Sequence, residues 1–436
     1  MSLSLRGLVG TDADVLDDRD FRLLLLASLI SPMGASVVSP VVESLAAGPY
    51  GVSATEAGLL LSAFTAPGIV CIPLSGVLAD RYGRKPVLAA GLALFGLAGV
   101  ALTLTTAFRA ALALRLLQGV GYTGIGPILI TATGDLFTGP RESTAQGVRF
   151  TVVGVSLTVF PFLAGLLVAL AWQFPYALYA AALPVAAVVW LLFDESADLS
   201  GRDGAVGDGA AAADGETEAD GPGGVRALLA LASRPHVVAT LVGRAVPGFL
   251  WFAFLAYNSI VVVRLLGGSP GAAGALVAVA SVASAVATTQ AGRLTARFGR
   301  PLPTFAALVV GAVGLTALAL APSVPVAIAA GAPVGAGFSL SLTLYRSTIT
   351  GLADDDLRGG LVSLGESVGR VGSTGAPVAM GAAVAFLAGP LGYDAAVRSV
   401  SIAVAAGVVV AGGALLFVSA RGTASEGGRT RAASDE

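Results

Sequence analysis

Long apolar runs alternate with short polar breaks along this chain, and twelve of the runs are of membrane-spanning length. They lie at roughly 20–45, 54–79, 86–107, 110–134, 143–170, 174–193, 236–264, 271–293, 303–321, 325–350, 358–387 and 394–418. A helix of about 20 residues, rising ~1.5 Å per residue, crosses a hydrocarbon core about 30 Å thick. Stretches such as VLAAGLALFGLAGVALTL are apolar throughout and lack the alternation that barrel strands need. The pattern predicts an all-α membrane protein of twelve transmembrane helices. The first run follows the acidic TDADVLDDRD with no small-residue cleavage site after it, so it is expected to be an uncleaved span.

Composition agrees with lipid as the solvent: of 436 residues, 55% are hydrophobic and only 12% charged, against about 25% charged in soluble domains. Charge placement adds orientation. With both termini in the cytoplasm, seventeen basic residues fall in cytoplasmic segments, and only Arg109, Arg264 and Arg398 on the far side. The positive-inside rule therefore puts both termini in the cytoplasm of a multi-pass cell-membrane protein. Between the sixth and seventh runs lies a stretch rich in Asp, Glu, Gly and Ala that has too few large apolar residues to bury a core. The expected organisation is an N-terminal tail (1–19), a six-helix bundle (20–193), a disordered acidic linker (194–235), a second six-helix bundle (236–418) and a C-terminal tail (419–436). The single cysteine, Cys71, excludes an internal disulfide.

The two halves repeat each other at an offset of 216 residues. It relates Gly76 to Gly292, Arg81 to Arg297, Gly83 to Gly299, Arg84 to Arg300, Gly119 to Gly335, Gly121 to Gly337, Pro161 to Pro377 and Gly165 to Gly381. A register held over four spans predicts two pseudo-symmetric bundles.

The most specific segment is GVLADRYGRKPVL, residues 76–88, on the cytoplasmic side between the second and third runs. Gly76 is expected to allow close approach of a neighbouring helix, Asp80 to accept from another helix N-terminus, and Gly83 to supply the turn. Arg81, Arg84 and Lys85 hold the loop in the cytoplasm and can pair with Asp80. This segment resembles the loop signature of the major facilitator superfamily, and RLLQGVG (115–121) and WQFPYALY (172–179) resemble further motifs of that family. The resemblance implies two six-helix bundles around a central cavity. It also implies that Gly76, Asp80, Arg81, Gly83, Arg84 and Lys85 form a cytoplasmic latch favouring the outward-facing state. The second copy has Ala296 in place of the carboxylate, so only the first half is expected to carry a full latch.

In the fourth run, Arg115 lies one turn from Gln118 and Gly119. A charge in hydrocarbon costs about 2.5–3.5 kcal/mol or more, so it faces a cavity, finds a partner or snorkels to the interface. The chain is most similar to the drug/proton antiporter branch, in which the Arg115 position is linked to proton coupling. That branch also has a Gly-Pro motif in its fifth span. Here Phe160, Pro161 and Gly165 give a degraded match, also readable as a proline kink packed by small residues.

In the eleventh run, Glu366 and Arg370 are four residues apart, the spacing of a helical ion pair. Two readings stand: Glu366 carries the coupling proton, or the two side chains form a static pair. Arg149, Arg244 and Arg346 also fall in spans, with Arg346 and Glu43 near span ends, so buried charge is in positive excess. Such an excess suits anionic or zwitterionic solutes. Gln118, Tyr122, Gln146, Trp251, Tyr257, Asn258 and Gln290 are further candidates for the cavity lining.

No phosphate loop, metal cluster or nucleophile arrangement is visible, so an enzyme, a metal or another cofactor is not expected. The expected partners are a small solute, protons and the bilayer, with no nucleic acid, and the chain is expected to be a monomer. The leading expectation is proton-coupled, multidrug-type efflux by alternating access. The alternatives are proton-coupled uptake or exchange of an organic anion and, more remotely, a non-transporting receptor or scaffold.

Overall fold

The computed structural model describes residues 10–137, 140–194, 222–353 and 355–434. Residues 1–9 of the expected N-terminal tail and 195–221 of the expected linker lie outside the described residues.

Among the described residues, eleven helices are long and apolar enough to cross a membrane: Arg19–Tyr50, Ala54–Tyr82, Arg84–Leu104, Thr144–Leu167, Phe174–Leu192, Pro235–Leu265, Pro270–Thr288, Pro301–Ala319, Val324–Thr350, Leu357–Leu391 and Tyr393–Arg421. The remaining expected run, 110–134, is a broken helix, Phe108–Thr123 followed by Gly126–Leu136. Its break at Gly124 and Ile125 leaves two pieces that are each too short to span alone. Counted in chain order with this broken helix as the fourth, the spans are numbered 1 to 12 below.

The repeat read from the sequence recurs in space. Gly51 and Gly267, 216 positions apart, both take positive φ (59° and 65°), and so do Gly83 and Gly299 (96° and 70°). These are the turns after spans 1 and 7, and before spans 3 and 9, where a side chain would be strained. Packing follows the same rule. A methyl added at Gly119 would collide with the Phe64 carbonyl, and one at Gly335 with that of Ala280. Gly121 fits against Gly91 and Phe95, as Gly337 does against Ala307 and Gly311. Every partner in these pairs is displaced by the same offset, so small residues set helix approach identically in both bundles.

The bundles are joined in the half of the molecule remote from the 76–88 loop. Asn258 donates to Ser39 Oγ at 2.6 Å, the Glu43 amide to Ser259 Oγ at 3.3 Å, and Thr55 shares a 3.1 Å hydrogen bond with Tyr393. Span 5 packs on span 8 where Gly165 meets Pro270 and Gly274 meets Pro161. Ser281 ties the same pair of spans by donating to the Leu157 carbonyl. Towards the loop side, a Cβ at Gly76, Gly147 or Gly292 would meet nothing within 4 Å. The close helix approach expected at Gly76 is therefore absent among the described residues.

The linker reading needs correction at its end. Pro222–Ala232 is a helix, and its Leu228 and Leu231 pack against Val237, Leu241, Ile349 and Leu361. ALLALA carries enough apolar surface to dock, unlike the acidic residues before it. The last helix also continues from Tyr393 to Ser434, through most of the expected C-terminal tail.

Candidate functional site

Four arginines and one carboxylate converge where the bundles face each other. Span 7 is interrupted at Arg244, between helices Pro235–Gly243 and Ala245–Ser259. The Arg244 side chain, 7% exposed, lies over Gly369 in the space a methyl would fill. Its Nη2 donates to Glu366 Oε1 and Oε2 at 3.1 and 3.0 Å. From span 10, Arg346 approaches the same carboxylate as a fork, Nε to Oε1 at 2.7 Å and Nη2 to Oε2 at 3.0 Å. Parallel charge-assisted bonds of this kind fix geometry as well as charge.

The static pair of Glu366 with Arg370, one of the two readings of their spacing, is not formed among the described residues. Glu366 is held by spans 7 and 10, while Arg370 extends the other way, its aliphatic part against Gly68 and its guanidinium 5.2 Å from the Tyr122 ring centroid. Among the described residues no hydrogen bond or ion pair engages Arg370. Helical spacing allows a pair, but two arginines from other spans outcompete a neighbour on the same helix.

The first bundle contributes Tyr122 from span 4 and Arg149 from span 5. Arg149 is 4% exposed; its Nε donates to Gln146 Oε1 at 3.0 Å, and Gln146 in turn donates to the Ile130 carbonyl. Arg149 lies within electrostatic range of Tyr122 and of Arg346 across the seam. Arg346 is the residue the sequence undervalued, since it sits near a span end. Its signal was a charge inside an apolar run.

Arg115 belongs elsewhere. It is fully buried inside the first bundle, so it does not snorkel. It donates to the carbonyls of Leu60 at 3.0 Å and Gly34 at 2.6 Å, to Gln118 Oε1 at 2.5 Å and to the Tyr179 hydroxyl at 3.2 Å. Its guanidinium sits 4.7 Å from the Phe64 ring centroid. Gln118 is equally enclosed and is spent on Arg115 and the Phe95 carbonyl, so it does not line the cavity. Together these groups brace the irregular stretches of spans 1 and 2.

The other expected cavity residues are dispersed. Trp251 stacks on Phe338 within the second bundle at 4.6 Å between ring centroids. Tyr257, beside Thr55, and Asn258 are buried in the seam that joins the bundles. Gln290 sits at the turn before the short helix Ala291–Phe298 and accepts from Arg293. A hollow of about 540 Å³ is lined by apolar residues including Ala287, Leu294, Phe298, Leu302, Val310 and Leu340, with none of the charged cluster in its wall.

In the 76–88 loop, Asp80 is 68% exposed and paired with Arg84 of its own turn, rather than capping another helix. Arg84 also reaches Asp135 at 3.1 Å, and Arg81 lies over the Tyr82 ring.

Fold and cluster together define a polytopic membrane protein of two related halves around a charged seam. The chain belongs to the Major Facilitator Superfamily, whose family model matches residues 24–267. It is similar to a bacillibactin exporter of Bacillus subtilis (30% identical, covering 34% of this chain and 38% of that protein). It also resembles a class H tetracycline resistance protein of Pasteurella multocida (29% identical, covering 40% and 44%). The matched segment thus spans less than half of these relatives. Among solved structures, a bacterial homologue of the lysosomal transporter Spinster, inward-facing and unoccupied, superposes with a TM-score of 0.75 at 17% identity, covering 97% of this chain and 98% of that one. The nucleoside transporter NupG superposes at 0.72 with 11% identity, covering 92% and 100%. These likenesses concern the fold.

Proposed function

We propose that this protein is a secondary active transporter that exports small organic solutes by alternating access, driven by protons, from the cytoplasm across the cell membrane. The observation that carries the reading is Glu366. It is the carboxylate of the central cluster, on span 11 between arginines of spans 7 and 10. A carboxylate so placed can exchange a proton for a change of partner as the bundles rock. With residues 76–88 cytoplasmic, the open space at Gly76 and the exposed Asp80 support an inward-facing conformation with the latch undone. Relatives named as exporters and multidrug transporters support the direction.

The test is proton release from purified, reconstituted protein on addition of lipophilic cations and, separately, organic anions. Release that disappears in Glu366→Gln, with solute exchange retained, is expected. An unchanged pH dependence in that variant overturns the coupling role. The four arginines around one carboxylate favour a second reading, uptake or exchange of an organic anion. Inward, proton-driven accumulation in the same vesicles would select it.

A further inference from the structure

Arg149 is buried, yet its Nη2 has no hydrogen-bond partner. The rest of the side chain is fixed: Nε is held by Gln146, and the guanidinium lies 4.6 Å from the Phe150 ring centroid. A rigid cation is thus presented with one edge unused. A buried donor left unsatisfied is costly and marks a place where something else bonds.

Within electrostatic range of it lies another cation. Arg346, 44% exposed and on the other bundle, is that cation, and Tyr122 is in electrostatic range of both. Arg346 spends Nε and Nη2 on Glu366, which also serves Arg244, and Arg370 carries no counter-ion among the described residues. Among the described residues no carboxylate of the first bundle is seen to pair with the cluster: Asp20, Glu43, Glu56, Asp80 and Asp135 lie towards the ends of its spans, and Glu142, on the helix of Arg149, lies beside Gly134. Four guanidinium groups against one carboxylate leave a deficit of negative charge shared between the bundles.

We propose that Arg149 and Arg346, with Tyr122 beside them, form the binding subsite for the carboxylate of an organic acid, and that Glu366 is the internal counter-ion holding the site when the solute is absent. Glu366 displays the group that fits: a planar carboxylate accepted by the Arg346 fork. An incoming carboxylate takes the free edge of Arg149 and competes with Glu366 for Arg346, leaving Glu366 with Arg244. One ligand then touches both bundles, as a solute that drives rocking must. The inference rests on the transporter reading and supplies its solute class; it is independent of direction and of the coupling ion.

The test is equilibrium binding of benzoate, succinate and citrate, each beside its amide, to the purified full chain in detergent, with tetraphenylphosphonium as the cationic comparison. Wild type is expected to bind at least one carboxylate saturably and its amide not at all. Arg149→Gln should weaken that binding at least about tenfold, the scale for losing a hydrogen bond to a charged group. Exposed Arg109→Gln should leave it unchanged. Glu366→Gln should bind the carboxylate more tightly than wild type, since its competitor is gone, whereas a merely structural role predicts weaker binding. Melting curves identify any variant that fails to fold, and Arg346→Lys then serves as the second probe, expected to weaken binding through loss of the fork. Binding of none of the three acids, or wild-type affinity in Arg149→Gln, overturns the proposal. Carboxylate binding without proton-driven transport in vesicles would count against the export reading and leave the subsite standing; transport of cations alone without carboxylate binding would do the reverse.

Discussion

Ser39 donates its hydroxyl to the carbonyl of Leu255 at 2.8 Å, and Leu255 lies 216 residues further along the chain. That separation is the offset of the internal repeat, so the two bundles touch through equivalent positions. Glu43 and Ser259 repeat the relationship one turn on. Contact between equivalents occurs only near the pseudo-two-fold axis, which therefore passes through this seam between spans 1 and 7.

Arg115 is expected to matter for stability before transport. Arg115→Gln removes a charge fully enclosed by two carbonyls, an amide and a hydroxyl. The loss should be about 3 kcal/mol or more, read as a large drop in melting temperature in detergent. Arg115→Lys should not restore it, because one ammonium cannot reach acceptors spread around a planar fork. Wild-type melting with lost proton coupling would move Arg115 into the transport machinery.

Asp80→Asn tests the latch. The pair with Arg84 is exposed, so the melting temperature should stay within about 0.5 kcal/mol equivalent of wild type. Transport in vesicles is expected to slow severalfold. Full transport activity would remove the latch from the working cycle.

Two glycines separate packing in this conformation from packing in another. Gly335→Ala should destabilise by about 1–3 kcal/mol, since the methyl meets the Ala280 carbonyl. Gly76→Ala has open space here and should melt like wild type. If the bundles close on residues 76–88 during the cycle, Gly76→Ala will nevertheless transport more slowly; equal rates would mean that no helix approaches there.

Residues 222–232 dock on the second bundle, and the acidic stretch before them is expected to be dispensable. Deletion of 203–221 is expected to leave melting and transport unchanged. Leu228→Asp, by contrast, places a carboxylate against the cluster of Val237, Leu241, Ile349 and Leu361 and should cost about 1–2 kcal/mol. Equal behaviour of the two variants would return residues 222–232 to the linker.

Spans, halves and repeat were legible because each rests on local facts: run length, charge between runs, and glycines at a fixed offset. The site was legible only in composition. Arg149, Arg244, Arg346, Arg370 and Glu366 all stood out as charges in apolar runs, yet their pairing follows from how spans 7, 10 and 11 are rotated against one another. Spacing along span 11 paired Glu366 with Arg370, while the true partners are 122 and 20 residues distant. Tyr257 and Asn258 looked like cavity residues for the same reason: polarity in a run does not say which side of the helix meets the other bundle. The break of span 4 was hidden too, since Gly124 and Ile125 interrupt a helix without interrupting its hydrophobicity.

Arg115 is satisfied by dipoles alone. Carbonyls, an amide and a hydroxyl meet its hydrogen-bonding needs, but none carries an opposite unit charge. In a medium of low dielectric constant that charge is felt well beyond its contacts. The first bundle therefore carries an interior positive charge that no contacting carboxylate offsets among the described residues.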